Sequence, residues 1–205
     1  MDSSTAHLVI KSLRFSERFP PFDFELHRSE CVGLTGPSGV GKTLFLRAVA
    51  DMDEHAGDIF LNGREQRWFQ APEWRRTVGL LPAESQWWLP LVGGHFVSAK
   101  PELLERLGFD DDVLAWSVDR LSTGEKQRLA LVRILENCPS ILLLDEPTAS
   151  LDSANTKAVE EIVKEYLKDT GASCIWTSHD REQIGRICRR TIILRNNAIE
   201  IESWT

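Results

Sequence analysis

No apolar stretch in this chain of 205 residues approaches the roughly 20 residues that a membrane-spanning helix requires. The N-terminal Met1–His7 is polar and has no apolar signal region. The expectation is a soluble, cytoplasmic protein. Cysteine is sparse: Cys31, Cys138, Cys174 and Cys188 stand apart without metal-ligand spacing, which points to buried free thiols. Positive charge is in deficit. A formal net charge of −7 argues against a general nucleic-acid binder, whose phosphate contacts need Lys and Arg. Internal repeats, low-complexity tracts and long linkers are also missing. What remains is one domain over 1–205, long enough for a sizeable core, with ordinary hydrophobic (42%) and charged (27%) fractions.

Leu8–Leu13 and Phe22–Leu26 alternate apolar and polar residues and predict antiparallel strands. Cys31–Thr35 is a short apolar run ending before glycine, a buried strand, and Thr43–Asp51 reads as a helix. Gly57–Leu61 is a further strand, followed by the tight-turn pair Asn62-Gly63. Thr77–Leu81 is another. From about Ala83 to Leu121 the texture changes to short helical pieces such as Pro101–Leu107 among Gly, Pro and Trp, an inserted subdomain over about 84–138. Glu125–Asn137 is helical. Ile141–Leu144 is wholly apolar, as a strand in a buried parallel sheet must be. Val159, Ile162, Val163, Tyr166 and Leu167 share one face of a helix over Ser153–Asp169. Ser173–Thr177 and Thr191–Arg195 complete the strands. Strands alternating with helices predict an α/β fold with a mainly parallel central sheet and an N-terminal antiparallel element.

Gly36, Pro37, Ser38, Gly39, Val40, Gly41, Lys42 and Thr43 match G-x-x-x-x-G-K-S/T in full, between a strand and a helix. Glycines let backbone N–H groups turn inward around phosphate oxygens, and the following helix points its positive N-terminus at the same oxygens. Lys42 can neutralise the β- and γ-phosphates, and Thr43 can offer its hydroxyl to Mg²⁺. Leu44 continues the helix beside them. Far downstream, the strand Ile141–Leu144 ends in Asp145 and Glu146. That is where open α/β sheets place ligands. Asp145 would hold Mg²⁺ and Glu146 would orient or deprotonate the attacking water. The implied cofactors are ATP and Mg²⁺.

Ser122 and Glu125 form an S-x-x-E capping box within Leu121-Ser122-Thr123-Gly124-Glu125-Lys126-Gln127-Arg128. The same segment leaves a helix N-terminus and a glycine backbone available to an anion. It resembles the LSGGQ signature of the ATP-binding-cassette (ABC) ATPases. Asp145 through Asp152 resembles that family's Walker B segment running into the D-loop. Trp176-Thr177-Ser178-His179-Asp180 is similar to its H-switch, whose histidine contacts the γ-phosphate.

The resemblance implies a P-loop NTPase fold with a helical subdomain, here shortened. It implies a head-to-tail homodimer with two ATP molecules at the interface, each between the phosphate loop of one subunit and Ser122, Thr123, Gly124 and Glu125 of the other. Asp152 lies in the D-loop of the same interface. It also implies a separately encoded membrane permease as partner, and a place on the inner face of the cell membrane. The run Gly124–Leu135 together with Trp176 and His179-Asp180 resembles the small Fet-type (YbbL-like) ATPases associated with iron or other metal-ion efflux. The alternatives are a non-transport ATP switch and a weakly hydrolysing, ATP-gated dimerisation module.

Three features depart from the family pattern. Ala83 falls where the family carries its Q-loop glutamine, and alanine can neither coordinate Mg²⁺ nor position water. Gln86 and Glu84 are nearby but have different spacing. Thr123 replaces a signature glycine. The aromatic that stacks on adenine is either Phe15 or Phe19, with Phe15 better placed relative to the strand, unless both belong to the core. Trp87 and Trp88 stand at the start of the inserted segment, either as a protein-contact anchor or as partly buried packing.

Overall fold

The computed structural model describes residues 6–203, so the stretch 1–5 of the polar N-terminus lies outside the described residues. The first sheet is antiparallel, with order β2-β1-β4-β5, from β1 (Ala6–Arg14), β2 (Phe22–His27), β4 (Ala56–Leu61) and β5 (Arg64–Glu65). In β1, Leu8, Ile10 and Leu13 face inward, and the shift in their spacing coincides with an irregularity at Ser12 (φ 50°). Asn62 and Gly63, both at positive φ, make the tight turn between β4 and β5.

The second sheet has six strands. These are β3 (Cys31–Thr35), β6 (Val78–Leu81), β7 (Ile141–Leu144), β8 (Ser173–Thr177), β9 (Arg190–Arg195) and β10 (Ala198–Ser203), in the order β10-β9-β3-β8-β7-β6. Its pairs are parallel except β9 with β10. The helices are α1 (Lys42–Val49), α2 (Ala71–Thr77), α3 (Pro101–Arg106), α4 (Thr123–Glu136), α5 (Ser153–Thr170) and α6 (Arg181–Ile187). The four residues of β7 are all buried because both faces of the strand are covered. Ile141 and Leu143 pack into one core with β1 and α1, while Leu142 and Leu144 pack into another with α4 and α5.

Between β6 and β7, a short 3-10 turn (Val92–His95) precedes α3, and two more (Asp111–Ala115 and Val118–Arg120) lie between α3 and α4. Leu104, Leu107, Phe109, Val113, Val118 and Leu121 bury this segment against α4.

Some elements differ from the sequence reading. Thr77 ends α2 rather than starting β6. Helix α2 has a single buried apolar anchor, Trp74, whose indole donates to Val49 O at 3.0 Å, so it shows no helical period. Helix α6 is short and contains Gly185. Strand β10 is an exposed edge carrying Glu200 and Glu202, which protects the sheet from further pairing. The four cysteines are not uniformly buried. Cys138 is exposed because it sits in the turn after α4 at φ 48°, and Cys31 is half-buried with its Sγ 3.5 Å from Cys188 Sγ.

Candidate functional site

Strand order brings the functional segments together. The C-terminal ends of β3, β8 and β7 are neighbours, so the glycine loop after β3, His179 after β8 and Asp145-Glu146 after β7 converge at one edge. This is the position at which open α/β sheets receive ligands.

The loop after β3 needs its first glycine for steric reasons. A Cβ on Gly36 (φ 148°) would lie 2.4 Å from Leu194 O. Val40 is buried, whereas Pro37, Ser38 and Gly39 are exposed. Helix α1 begins after Gly41 without a side-chain cap, so the first N–H groups of the helix are available to an anion. Lys42 is 6% exposed and folds over the loop, its ammonium donating to Gly36 O at 3.1 Å and Pro37 O at 3.4 Å. Thr43 and Leu44 are exposed on the first turn.

From Thr43 a continuous set of hydrogen bonds crosses the sheet. Thr43 Oγ1 donates to Asp145 Oδ2 at 2.7 Å. Thr177 Oγ1 donates to Asp145 Oδ1 at 2.9 Å and accepts from Glu146 N at 2.7 Å. Glu146 sits at φ 49°, a left-handed conformation uncommon for a non-glycine residue, and its Oε1 lies 2.8 Å from His179 Nε2. Asp145 is nearly inaccessible, whereas Glu146 and His179 are partly open. The arrangement thus has a buried carboxylate held by two hydroxyls and an accessible carboxylate held by an imidazole.

Helix α6, which follows His179, is anchored to the same region. Asp180 caps it, and Gln183 Nε2 donates to Thr148 Oγ1 at 3.0 Å and to Glu160 Oε1 at 2.9 Å. Sequence reasoning missed Thr177 and Gln183. Thr177 lies within the H-switch-like segment, but that resemblance gives a role only to His179; the strand order reveals the neighbours of Thr177.

The segment Ser122–Glu125 lies at the N-terminus of α4, and the predicted capping box is present. Glu125 N donates to Ser122 Oγ at 3.3 Å, and Ser122 N donates to Glu125 Oε2 at 2.8 Å. Hydrogen bonds from the Ser122 hydroxyl and backbone N–H hold the Glu125 carboxyl below the usual range. A Cβ on Gly124 would lie 2.9 Å from Ser150 O, so this glycine permits close packing on the segment before Asp152. Asp152 caps α5, accepting from Asn155 N at 2.8 Å and from the Asn155 amide, which lowers its pKa. Among the described residues, no hydrogen bond joins Ser122–Glu125 to the glycine loop of the same chain.

Phe15 and Phe19 are both in the core. Their rings stack at 5.2 Å, and Phe45 packs edge-on against Phe15 at 5.3 Å. At 8% and 3% exposure neither presents a broad open face, so the structure shows the core arrangement for both. Ala83 is exposed, and Gln86 turns to its own loop, donating to Glu84 O at 3.4 Å. Gln127 of α4 donates to Pro82 O at 3.0 Å and ties that helix to the Ala83 loop.

The tryptophan pair divides. Trp87 is half-buried and Trp88 is 69% exposed, with the Arg133 guanidinium over both rings at 4.6 and 5.2 Å. His95 Nε2 accepts from Trp88 N and Leu89 N at 3.0 Å each, which fixes the loop.

The glycine loop at a helix start, the buried Asp145 and the parallel strand order define a P-loop ATPase fold. Comparison with known proteins makes the class specific. The family described as ABC transporter matches residues 19–149, and the chain belongs to that family. It is an ATP-binding subunit of the ABC transporter class, an ABC-type ATPase.

The chain is 28% identical over 193 residues to the probable iron export ATP-binding protein FetA of Escherichia coli (strain K12), covering 88% of this chain and 85% of that one. It is 34% identical over 185 residues to Protein STAR1 of Oryza sativa subsp. japonica, covering 84% of this chain and 54% of STAR1, so it spans about half the length of that relative. In fold it is similar, at a TM-score of 0.82 and 20% identity, to the dimeric ATP-binding cassette MJ0796 bound to ADP and Pi, covering 97% of this chain and 99% of that one. Among the described residues no helix is long and apolar enough to cross a membrane.

Proposed function

We propose that this chain hydrolyses Mg²⁺-ATP in a head-to-tail homodimer, on the inner face of a cell membrane, and drives a separately encoded permease. The observation that carries this reading is the hydrogen-bonded chain Thr43–Asp145–Thr177–Glu146–His179 beside the glycine loop.

Residues Gly36–Thr43 hold the phosphates, with Lys42 on the β- and γ-phosphates. Thr43 Oγ1 and the Asp145 carboxylate are hard oxygen donors and suit Mg²⁺, which takes one or two protein ligands beside phosphate oxygens and water. When bound, the ion offsets negative charge on the phosphates. Glu146 orients the attacking water and accepts its proton, and His179 holds the Glu146 carboxylate and meets the γ-phosphate. Ser122, Thr123 and Gly124 act in trans, through the N-terminus of α4, on the ATP of the second copy. Glu125 and Asp152 serve there indirectly, by capping α4 and α5. Phe15 bears on the nucleotide through the packing of the loop.

The segment at about 84–138 serves as the helical subdomain. Its exposed Trp88, Leu89, Leu91 and Val97 supply the apolar surface for the permease. The likeness to FetA supports a metal ion such as iron as cargo, which the permease rather than the cassette would contact.

Glu146→Gln tests the assignment. It should retain nucleotide binding, lose hydrolysis and accumulate as an ATP-bound dimer on size-exclusion chromatography. Hydrolysis at the unmodified rate would remove Glu146 from its role.

A further inference from the structure

We propose that Thr177 is a positioning residue that links the metal-holding carboxylate to the base, so that one hydroxyl sets the geometry of both. Neither the family match nor the sequence motifs assign a role to this side chain. The inference rests on the roles given above to Asp145 and Glu146.

The observations are local and mutually constraining. Thr177 is 0% exposed and is the last residue of β8, the strand lying between β7 and β3. Strand order therefore makes it the neighbour of the acidic pair on one side and of the glycine-loop strand on the other. A hydroxyl has one proton to give and lone pairs to receive with. The proton goes to Asp145 Oδ1 at 2.9 Å, and the oxygen accepts the Glu146 N–H at 2.7 Å.

The first bond fixes the rotation of the Asp145 carboxylate. Oδ1 is tied to β8, and Oδ2 is left aimed at Thr43 Oγ1, 2.7 Å away. The second bond holds the Glu146 backbone at φ 49°, the turn from which its carboxylate reaches His179 Nε2 at 2.8 Å. His179 stands two residues beyond Thr177 on the same strand exit. Motion of this exit is therefore transmitted to Asp145 through the Thr177 oxygen, and to Glu146 through that oxygen and through His179.

The same buried oxygen explains why a hydroxyl is needed. Valine has nearly the same shape but would strand the Glu146 N–H and remove a donor from a buried carboxylate. A lost hydrogen bond to a charged group of this kind changes an equilibrium by about ten- to a hundredfold.

The test compares Thr177→Val with Thr177→Ser. The first readout is the affinity for a non-hydrolysable ATP analogue, measured once with chelator and once with Mg²⁺, whose ratio gives the metal enhancement. The second is kcat and KM for Mg²⁺-ATP. Thr177→Val should bind the analogue in chelator as the unmodified protein does, lose about tenfold or more of the metal enhancement, and lose kcat at least as strongly. Thr177→Ser should restore both. Should the valine variant fail to fold, Thr177→Ala against Thr177→Ser makes the same comparison.

Unchanged metal enhancement and kcat in the valine variant would overturn the proposal while leaving the Asp145 and Glu146 assignments intact. A parallel loss of chelator-measured binding and melting temperature would overturn it in favour of a purely structural threonine. If the unmodified protein shows no metal enhancement, the Asp145 assignment fails, and Thr177 loses its role with it.

Discussion

The sheet edge around the glycine loop and the N-terminus of α4 treat their polar groups in opposite ways. At the sheet edge, groups at the exits of β7 and β8 and in α1 bond across elements, so that Thr43, Asp145, Thr177, Glu146 and His179 form one connected set. At α4, the side chains of Ser122 and Glu125 bond to each other and to each other's backbone N–H, and Asp152 turns to its own helix. The first region is organised by contacts between elements of the same chain. The second is locally satisfied and aims a helix N-terminus outward. The difference fits the proposed head-to-tail dimer, in which the two regions would be unlike halves of a site and a second copy would supply the missing half.

Lys42→Ala removes the charge buried over the loop and should cause the largest change, a loss of ATP affinity of about a hundredfold in equilibrium binding. Thr123→Glu probes the other half. Thr123 is exposed in the first turn of α4, where an added carboxylate favours the helix but repels phosphate. ATP binding to the monomer should persist, while hydrolysis falls about tenfold or more. If binding falls equally, the two regions are not separable.

Ala83→Gln should produce a smaller change, raising the ATPase rate about threefold to tenfold, because the exposed Ala83 contributes no polar group beside Asp145. An unchanged rate would show that another residue fills that role.

The smallest effect on catalysis is expected far from both regions, at His7. Burial, assisted by the nearby Arg28, lowers its pKa from 6.5 to about 4, and its Nδ1 lies 2.8 Å from Ser173 Oγ. The folded state therefore favours neutral His7, while the unfolded chain takes up the proton first. The stability contribution is fully present above pH 6.5 and is lost as pH falls towards about 4. His7→Gln should leave the ATPase rate unchanged and flatten the decline in melting temperature across that window.

Much of this was legible in the sequence because it lies in contiguous motifs. The loop Gly36–Thr43, the wholly buried Ile141–Leu144 and the capping box of Ser122 and Glu125 each follow from residue type and local spacing. Phe15 could not be settled that way, since an aromatic at a strand end serves a core or a base equally well. Its packing between Phe19 and Phe45 is a tertiary fact. Thr177 was invisible for a related reason. Its partners are 31 and 32 residues away, and only the insertion of β8 between β3 and β7 makes them neighbours. Helix α2 and strand β10 escaped because each buries too little to leave a periodic pattern.

The central claim is that the glycine loop of one copy is completed by α4 of another. Mixing Lys42→Ala with Thr123→Glu tests it most directly. Each variant alone should hydrolyse ATP at least about tenfold more slowly than the unmodified protein. In a mixed head-to-tail dimer, the intact loop of the Thr123→Glu subunit faces the intact Ser122–Gly124 of the Lys42→Ala subunit, and one complete site is restored. Recovered ATPase activity in the mixture is the predicted result; a mixture as inactive as its components would contradict the account.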